Sequence, residues 1–202
     1  MKNALATIAT LIVLTLGLFP ASSSAQDGPA TRYLRQRHDQ VLRDLRRPAS
    51  EARTRAISEQ INGLLDVQAL SRGALAQHWG AMNAAQQTEF VRLLTTLIER
   101  QYQRNLERIE EAEVAYLGEE SSADGVIVHT QVRSRTSRRA APVQIDYRAH
   151  NEGSVWRVTD IVTDDVSLVN NYRRQFGRII STQGIDELLR RMRDRVASGQ
   201  TE

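Results

Sequence analysis

Chemistry at neutral pH would have to come from few side chains: the four histidines His38, His78, His129 and His150, and the acids Asp160, Asp164 and Asp165. An imidazole beside a carboxylate is the commonest general acid–base unit, so an enzyme would pair Asp160 with His129 or His150. His129 alternates against Val126 and Val128, and His150 closes a strand, so both are expected at solvent. His38 and His78 fall on predicted helices, with no metal-ligand spacing to another histidine. Asp164 and Asp165 are adjacent, and their place at a strand-to-helix join marks one of them as a helix cap meeting the positive end of the dipole, in preference to a catalytic pair. The sequence contains no G-x-S-x-G, no H-E-x-x-H and no phosphate-cradling glycine loop. No cysteine occurs, which removes thiolate chemistry and disulfides together.

The elements that must position these residues begin after a leader. "MKNALATIATLIVLTLGLFPASSSA" has a basic start at Lys2, an apolar run of roughly fifteen residues, a breaking Pro20 and small residues at Ser23 and Ala25, the pattern of a cleaved secretory signal peptide. Residues 1–25 are therefore expected to be removed, leaving 26–202 as a single exported domain. Lys2 is the only lysine, and its loss lowers the formal charge from +3 to about +2. The remaining basic side chains besides histidine are arginines interspersed with acids, a distribution that does not support nucleic acid binding.

Helical periodicity covers Thr31 to Leu45, with Leu34, Val41, Leu42 and Leu45 on one face, and then about Ser50 to Leu65, with Ala52, Ile57, Ile61 and Leu64 inward and Ser50 as N-cap. Asp66 can cap a short helix carrying Leu70. Asn83 and Gln86 have capping-box spacing and open the longest helix, "NAAQQTEFVRLLTTLIERQYQRNLERI". Its stripe of Phe90, Leu93, Leu94, Leu97, Ile98 and Tyr102 is wider than packing on one neighbour requires, so this helix is expected to be central.

After Ile109 the period becomes alternating, in the four runs "AEVAYLG", "GVIVHTQVR", "PVQIDYRAH" and "SVWRVTDIV". Val126, Val128 and Val132 share a face, as do Val143, Ile145 and Tyr147, each opposite polar residues, as in an antiparallel sheet covered on one side. In the fourth run Trp156, Val158 and Asp160 oppose Val155, Arg157 and Ile161, and alternation does not select the inward side. The helix that follows places Leu168, Val169, Tyr172, Phe176, Ile179 and Ile180 on one face. The expected fold class is α+β: N-terminal helices, a curved four-stranded antiparallel sheet and C-terminal helices, with a cone-like pocket between sheet and helices.

"WRVTDIVTDDVSLVNNYRRQFGRIISTQGIDELLRRMRDR" resembles the C-terminal signature of the MlaC family of periplasmic phospholipid carriers, W-[KR]-V-x-D-[IV] followed by VSLV-x-NYR-x-QF and a G-[IV]-x-x-L-[IL] helix. "LLDVQALSRGALAQHWGAMNAAQQTEFVRLLTTLIERQY" is similar to the family's D-[FV]-x-x-[LM]-[ST]-x-x-[AV]-L-G-x-x-W region. Two departures are Ala76 in place of the glycine of the L-G pair, and Asp165 where the family often has glycine. The resemblance implies a non-enzymatic carrier without cofactor, its cargo a phospholipid shuttled between an inner-membrane ABC transporter complex with a substrate-binding ring and an outer-membrane lipoprotein complex, in a system that maintains outer-membrane lipid asymmetry. The liners expected are Phe90, Leu93, Leu97 and Tyr102 on the long helix, Val126, Val128, Val143, Ile145 and Tyr147 on the sheet, and Leu168, Val169, Tyr172 and Phe176 on the later helix. Arg133, Arg135, Arg138 and Arg139 form a basic hairpin that would either contact an acidic docking surface or phosphate, or stand solvated. The alternatives are a hydrolase or isomerase on a similar cone-shaped scaffold, and a periplasmic adaptor whose apolar stripes only fill a core.

Overall fold

The computed structural model describes residues 27–136 and 139–198, so the leader and Arg138 of the basic hairpin lie outside the described residues. Five helices precede the sheet: α1 (Pro29–Leu45), α2 (Glu51–Leu64), α3 (Val67–Leu75), then a 3₁₀ segment (Ala76–Ala81), α4 (Ala84–Arg104) and α5 (Leu106–Glu110). Strands β1 (Ala112–Ser122), β2 (Gly125–Ser134), β3 (Val143–Glu152), β4 (Val155–Thr163) and the two-residue β5 (Val166–Ser167) lead into α6 (Leu168–Gln183) and α7 (Ile185–Ser198). The class is α+β, and no described helix is long and apolar enough to cross a membrane.

Helix starts follow the local chemistry. Ser50 Oγ accepts from Arg53 N at 3.1 Å, Asp66 Oδ1 accepts from Ala69 N at 2.8 Å, and Asn83 and Gln86 form both halves of a capping box. Gly28 starts α1 where a Cβ would overlap the Glu119 carboxylate, and that carboxylate accepts from Thr31 N at 2.6 Å and Thr31 Oγ1 at 2.8 Å. Where one helix was expected to run on to Ile109, the structure breaks it at Asn105. The Asn105 side-chain amide donates to Gln101 O at 2.7 Å, so a short polar side chain competes with the helical ladder there.

All strand pairs are antiparallel, in the order β1-β2-β3-β4-β5. Two irregularities curve this meander. In β1 Tyr116 pairs with Thr130 and Gly118 with His129, leaving Leu117 bulged and 55% exposed. In β4 Asp160 pairs with Arg148 and Val158 with Ala149, leaving Thr159 unpaired. The extra residue resolves what alternation left open: Val158, before the bulge, and Ile161, after it, both face inward.

The adjacent acids have a different role from the one expected. Asp164 and Asp165 have φ of 44° and 65° and form a tight hairpin between Thr163 and Val166, which creates a fifth strand. Asp164 Oδ1 accepts from Gln144 N at 3.0 Å, and the cap of α6 is Ser167, whose Oγ accepts from Asn170 N at 3.0 Å. The helix cap assigned to the acid pair is thus corrected, because a two-residue turn of this hand requires left-handed backbone at both positions.

The main core lies among helices. Phe90 of α4 meets Phe176 of α6 edge-on at 5.6 Å, Tyr172 stacks on Phe176 at 5.2 Å, and Leu188, Leu189 and Met192 of α7 close the cluster. Gly73 permits α3 to approach α6, since a Cβ there would stand 2.8 Å from Val169 Cγ1. At the bulged end of the sheet, Leu65 bridges Val158 and Asp66 N donates to Val158 O at 2.9 Å, fastening the α2–α3 joint to β4.

Asp165 has no side-chain bond among the described residues and occupies a conformation that costs an L-residue energy. Asp165→Gly is expected to stabilise the protein by about 0.5–1 kcal/mol, read as a higher urea midpoint at unchanged m-value.

Candidate functional site

A cavity of about 420 Å3 lies between the sheet and the helices, within the size range of ligand-binding clefts. Its sheet wall is Ala112, Val114 and Tyr116 of β1, Val132 of β2, Ile145 and Tyr147 of β3, and Val158 and Ile161 of β4. Its helical wall is Leu34, Arg37, His38 and Val41 of α1, Gln60, Ile61 and Leu64 of α2 with Leu65 just after it, Ile98, Gln101 and Tyr102 of α4 with Asn105, and Ile109 of α5. Leu168 and Tyr172 of α6 complete it.

Tyr102, Ile145, Tyr147, Leu168 and Tyr172 are the members of the expected set that the fold brings together on this cavity. The structure places the others outside this lining. Phe90, Leu93 and Phe176 are buried in the helical core, and Leu97 packs against it. Val128 is fully buried beneath Ala30 and Leu34 of α1, with Val126 beside it. Val169 packs on Gly73, and Val143 lies outside the lining. The physical reason is length: α4, at about 30 Å, extends past the helical core, so its first turns fill that core and only its last turns reach the cavity. Sequence reasoning omitted α1, α2 and β1 from the walls. A signal was present in α1, whose apolar stripe from Leu34 to Val41 carries Arg37 and His38 on the same face.

The hydroxyls of Tyr102, Tyr116 and Tyr147 make no hydrogen bond to the protein among the described residues. Burial pushes the Tyr147 hydroxyl up to about 12. Those of Tyr102 and Tyr116 are raised further, first by burial and then by the proximity of Tyr147. Tyr147 nevertheless keeps accessible area, because it lines the cavity between the sheet and the helices. Burial also raises Tyr172 and lowers His38, the latter opposed by the neighbouring Asp39.

Among the described residues no carboxylate lines the cavity, and His38 is the one histidine that does. Asp160 is buried outside the lining, its Oδ1 accepting from Ile161 N at 2.9 Å and Val169 N at 3.0 Å and its Oδ2 from Ser167 Oγ at 2.6 Å. It fastens the end of β4 to the start of α6. His129 faces Asp146 at 3.0 Å and Glu120 at 3.6 Å, and His150 faces Glu152 at 3.3 Å and Asp66 at 3.6 Å, on the polar side of the sheet. Asp66, His150 and Glu152 could bring three ligand atoms to one metal ion, but Asp66 already caps α3 and Arg157 stands 3.5 Å from Glu152. Arg135 of the basic hairpin is tied to the end of α5 through the Glu111 and Glu110 carbonyls.

The architecture is α+β, a curved antiparallel sheet closed by helices over a largely apolar compartment. Residues 35–194 match the family model described as MlaC protein, and the chain belongs to that family. Over 120 residues, 58% of this chain and 56% of the relative, it is 24% identical to the intermembrane phospholipid transport system binding protein MlaC of Haemophilus influenzae, so the match spans about half the length of that relative. The solved structure of a phospholipid-binding protein from Ralstonia solanacearum, in complex with a phospholipid, has the same fold: TM-score 0.72 at 23% identity, covering 86% of this chain and 99% of that one.

Two outcomes test the wall. Below pH 10 both folded and unfolded chains hold the Tyr147 proton, whereas between about pH 10 and 12 only the folded state does, so stability falls as pH rises through that window. Tyr147→Phe should lessen this decline by up to about 1.4 kcal/mol per pH unit, measured by urea unfolding across the window. Asp160→Ala leaves the Val169 amide and Ser167 hydroxyl without their acceptor and should cost about 3 kcal/mol in the same measurement near neutrality.

Proposed function

We propose that this chain is a periplasmic carrier of phospholipid, with no catalytic step, in which the cavity takes the acyl chains and the headgroup stays toward the helical wall. The observation that carries this reading is the lining: aliphatic side chains and tyrosines make up most of it, with a few polar groups on the helical side and no carboxylate. The names of the Haemophilus influenzae and Ralstonia solanacearum proteins support it. The leader-like residues 1–25 support export, with residues 26–202 as the carrier domain. The lipid contacts would be Tyr102, Ile145, Tyr147, Leu168 and Tyr172 together with Val114, Val132, Val158 and Ile161. Phe90, Leu93, Leu97 and Phe176 would support the wall from behind.

Energetics favours a carrier that needs docking partners. Each buried methylene is worth roughly 0.8 kcal/mol against water, so a lipid with two long chains does not escape into solution at a useful rate. Transfer must begin against another apolar compartment. An inner-membrane ABC transporter complex with its substrate-binding ring and an outer-membrane lipoprotein complex are the partners this role calls for. Membrane, partner and cavity are all apolar, so the free-energy difference between them is a small residue of large terms, and modest docking contacts can bias the direction.

Protein purified without detergent should release phospholipid in near-stoichiometric amount into organic solvent, identified by mass spectrometry. Ile145→Trp, which fills the cavity from the sheet, should lower that occupancy severalfold while circular dichroism stays unchanged. A folded, monodisperse wild-type protein without lipid would return the adaptor reading.

A further inference from the structure

The cavity wall contains one fixed charge. Among its lining residues Arg37 is the only arginine and His38 the only other group able to carry positive charge, while acids are absent. Of the other half-buried arginines among the described residues, Arg35 meets Asp27 at 2.7 Å and Arg157 meets Glu152 at 3.5 Å, whereas Arg53 and Arg100 donate to backbone carbonyls. Arg37 meets none within ion-pair distance among the described residues. Its guanidinium is held instead by neutral acceptors: Nη1 donates to Gln60 Oε1 at 2.7 Å, Nη2 donates to the Tyr33 hydroxyl at 2.8 Å, and the group lies 5.0 Å from the Tyr33 ring centre.

A half-buried charge beside an apolar volume is costly unless an anion joins it. Two of the five N–H groups are spent on Gln60 and Tyr33, which fixes the plane of the fork and leaves three donors for a ligand. The polar lining is also one-sided: Arg37, His38, Gln60, Gln101 and Asn105 all belong to the helices or their ends, while the sheet contributes aliphatics and tyrosines. A ligand with an anionic group at one end and hydrocarbon at the other has only one favourable orientation in such a space.

We propose that Arg37, oriented by Gln60 and Tyr33, binds the phosphate of the cargo headgroup and selects phosphate-bearing lipids over uncharged diacyl lipids. This rests on the carrier reading above. A planar fork meeting phosphate oxygens makes charge-assisted hydrogen bonds, and loss of a hydrogen bond to a charged group corresponds to roughly ten- to hundredfold in affinity.

The test uses protein expressed from the full chain, stripped of lipid in denaturant, refolded and incubated with vesicles containing equal amounts of dioleoylphosphatidylglycerol and dioleoylglycerol. Captured lipids are quantified by mass spectrometry. The ratio captured by wild type, divided by that captured by Arg37→Gln from the same vesicles, cancels the preference of the vesicle itself. That quotient is expected to be ten or more, with Gln60→Ala intermediate because the fork keeps its charge and loses its support. A quotient near one, with both proteins folded by circular dichroism and both loaded with lipid, overturns the assignment of Arg37 and leaves the carrier reading standing. No capture of either lipid by folded wild type overturns the carrier reading and this one with it. Isothermal titration of lipid-free protein with inorganic phosphate separates the two sources of phosphate: Arg37-dependent binding of phosphate alone, without any selection between the two lipids, would assign the position to the free ion and overturn the headgroup role.

Discussion

An apolar volume kept open inside a protein forfeits the dispersion contacts that would otherwise fill it, and the rest of this fold follows from that cost. The walls of the cavity cannot hold one another together by interdigitation, so cohesion has to be supplied beside it. The helical cluster of α3, α4, α6 and α7 does this. Phe90, Phe176, Leu188 and Leu189 are buried there in close aromatic and aliphatic contact. Two helices serve both regions: α4 passes from Phe90 and Leu93 in the core to Ile98 and Tyr102 on the cavity, and one face of α6 carries Phe176 into the core and Leu168 to the cavity, with Tyr172 touching both. The core can thereby brace the cavity without filling it.

Polar anchors set the positions of the walls where packing is unable to. Glu119 holds the first turn of α1 against β1, the Asp66 amide joins the α2–α3 corner to Val158, and Asp160 clamps the end of β4 to the entry of α6. Each is a hydrogen bond of defined length at the edge of the cavity, and each binds a helix to the sheet. The bulges at Leu117 and Thr159 bend the sheet around the space that these anchors frame. Asp160, His129 and His150 are committed to such structural tasks or to the charged outer face of the sheet. Arg37 and His38 give the cavity wall its polarity.

Most elements, and the resemblance to the family, are legible in the sequence, apart from β5 and the break at Asn105. Period and capping placed α1 to α4 and the long strands closely, because Ser50, Asp66 and the Asn83–Gln86 box satisfy backbone donors that lie within the same few residues. The signature from Trp156 to Arg195 and the block from Leu64 to Tyr102 were sufficient for the resemblance that the family match then established. The turn at Asp164 and Asp165 was misread as a helix cap because an acid before a helix suits both uses, and only the positive φ at both residues separates them.

Tertiary structure alone decided which apolar stripes enclose space and which fill it. Phe90 and Tyr102 occupy one stripe of one helix, and hydrophobicity does not record where along that helix the core ends. Val158 and Ile161 face the same side only because Thr159 is bulged, a displacement that depends on pairing with β3. The contribution of α1 is signalled only by Arg37 and His38 on its apolar face, since an amphipathic helix otherwise reads alike whether that face meets packed side chains or a cavity. Local chemistry acts over a few residues and is written in the sequence. The choice between core and compartment arises from contacts between segments far apart in the chain, and it is settled only when those segments meet.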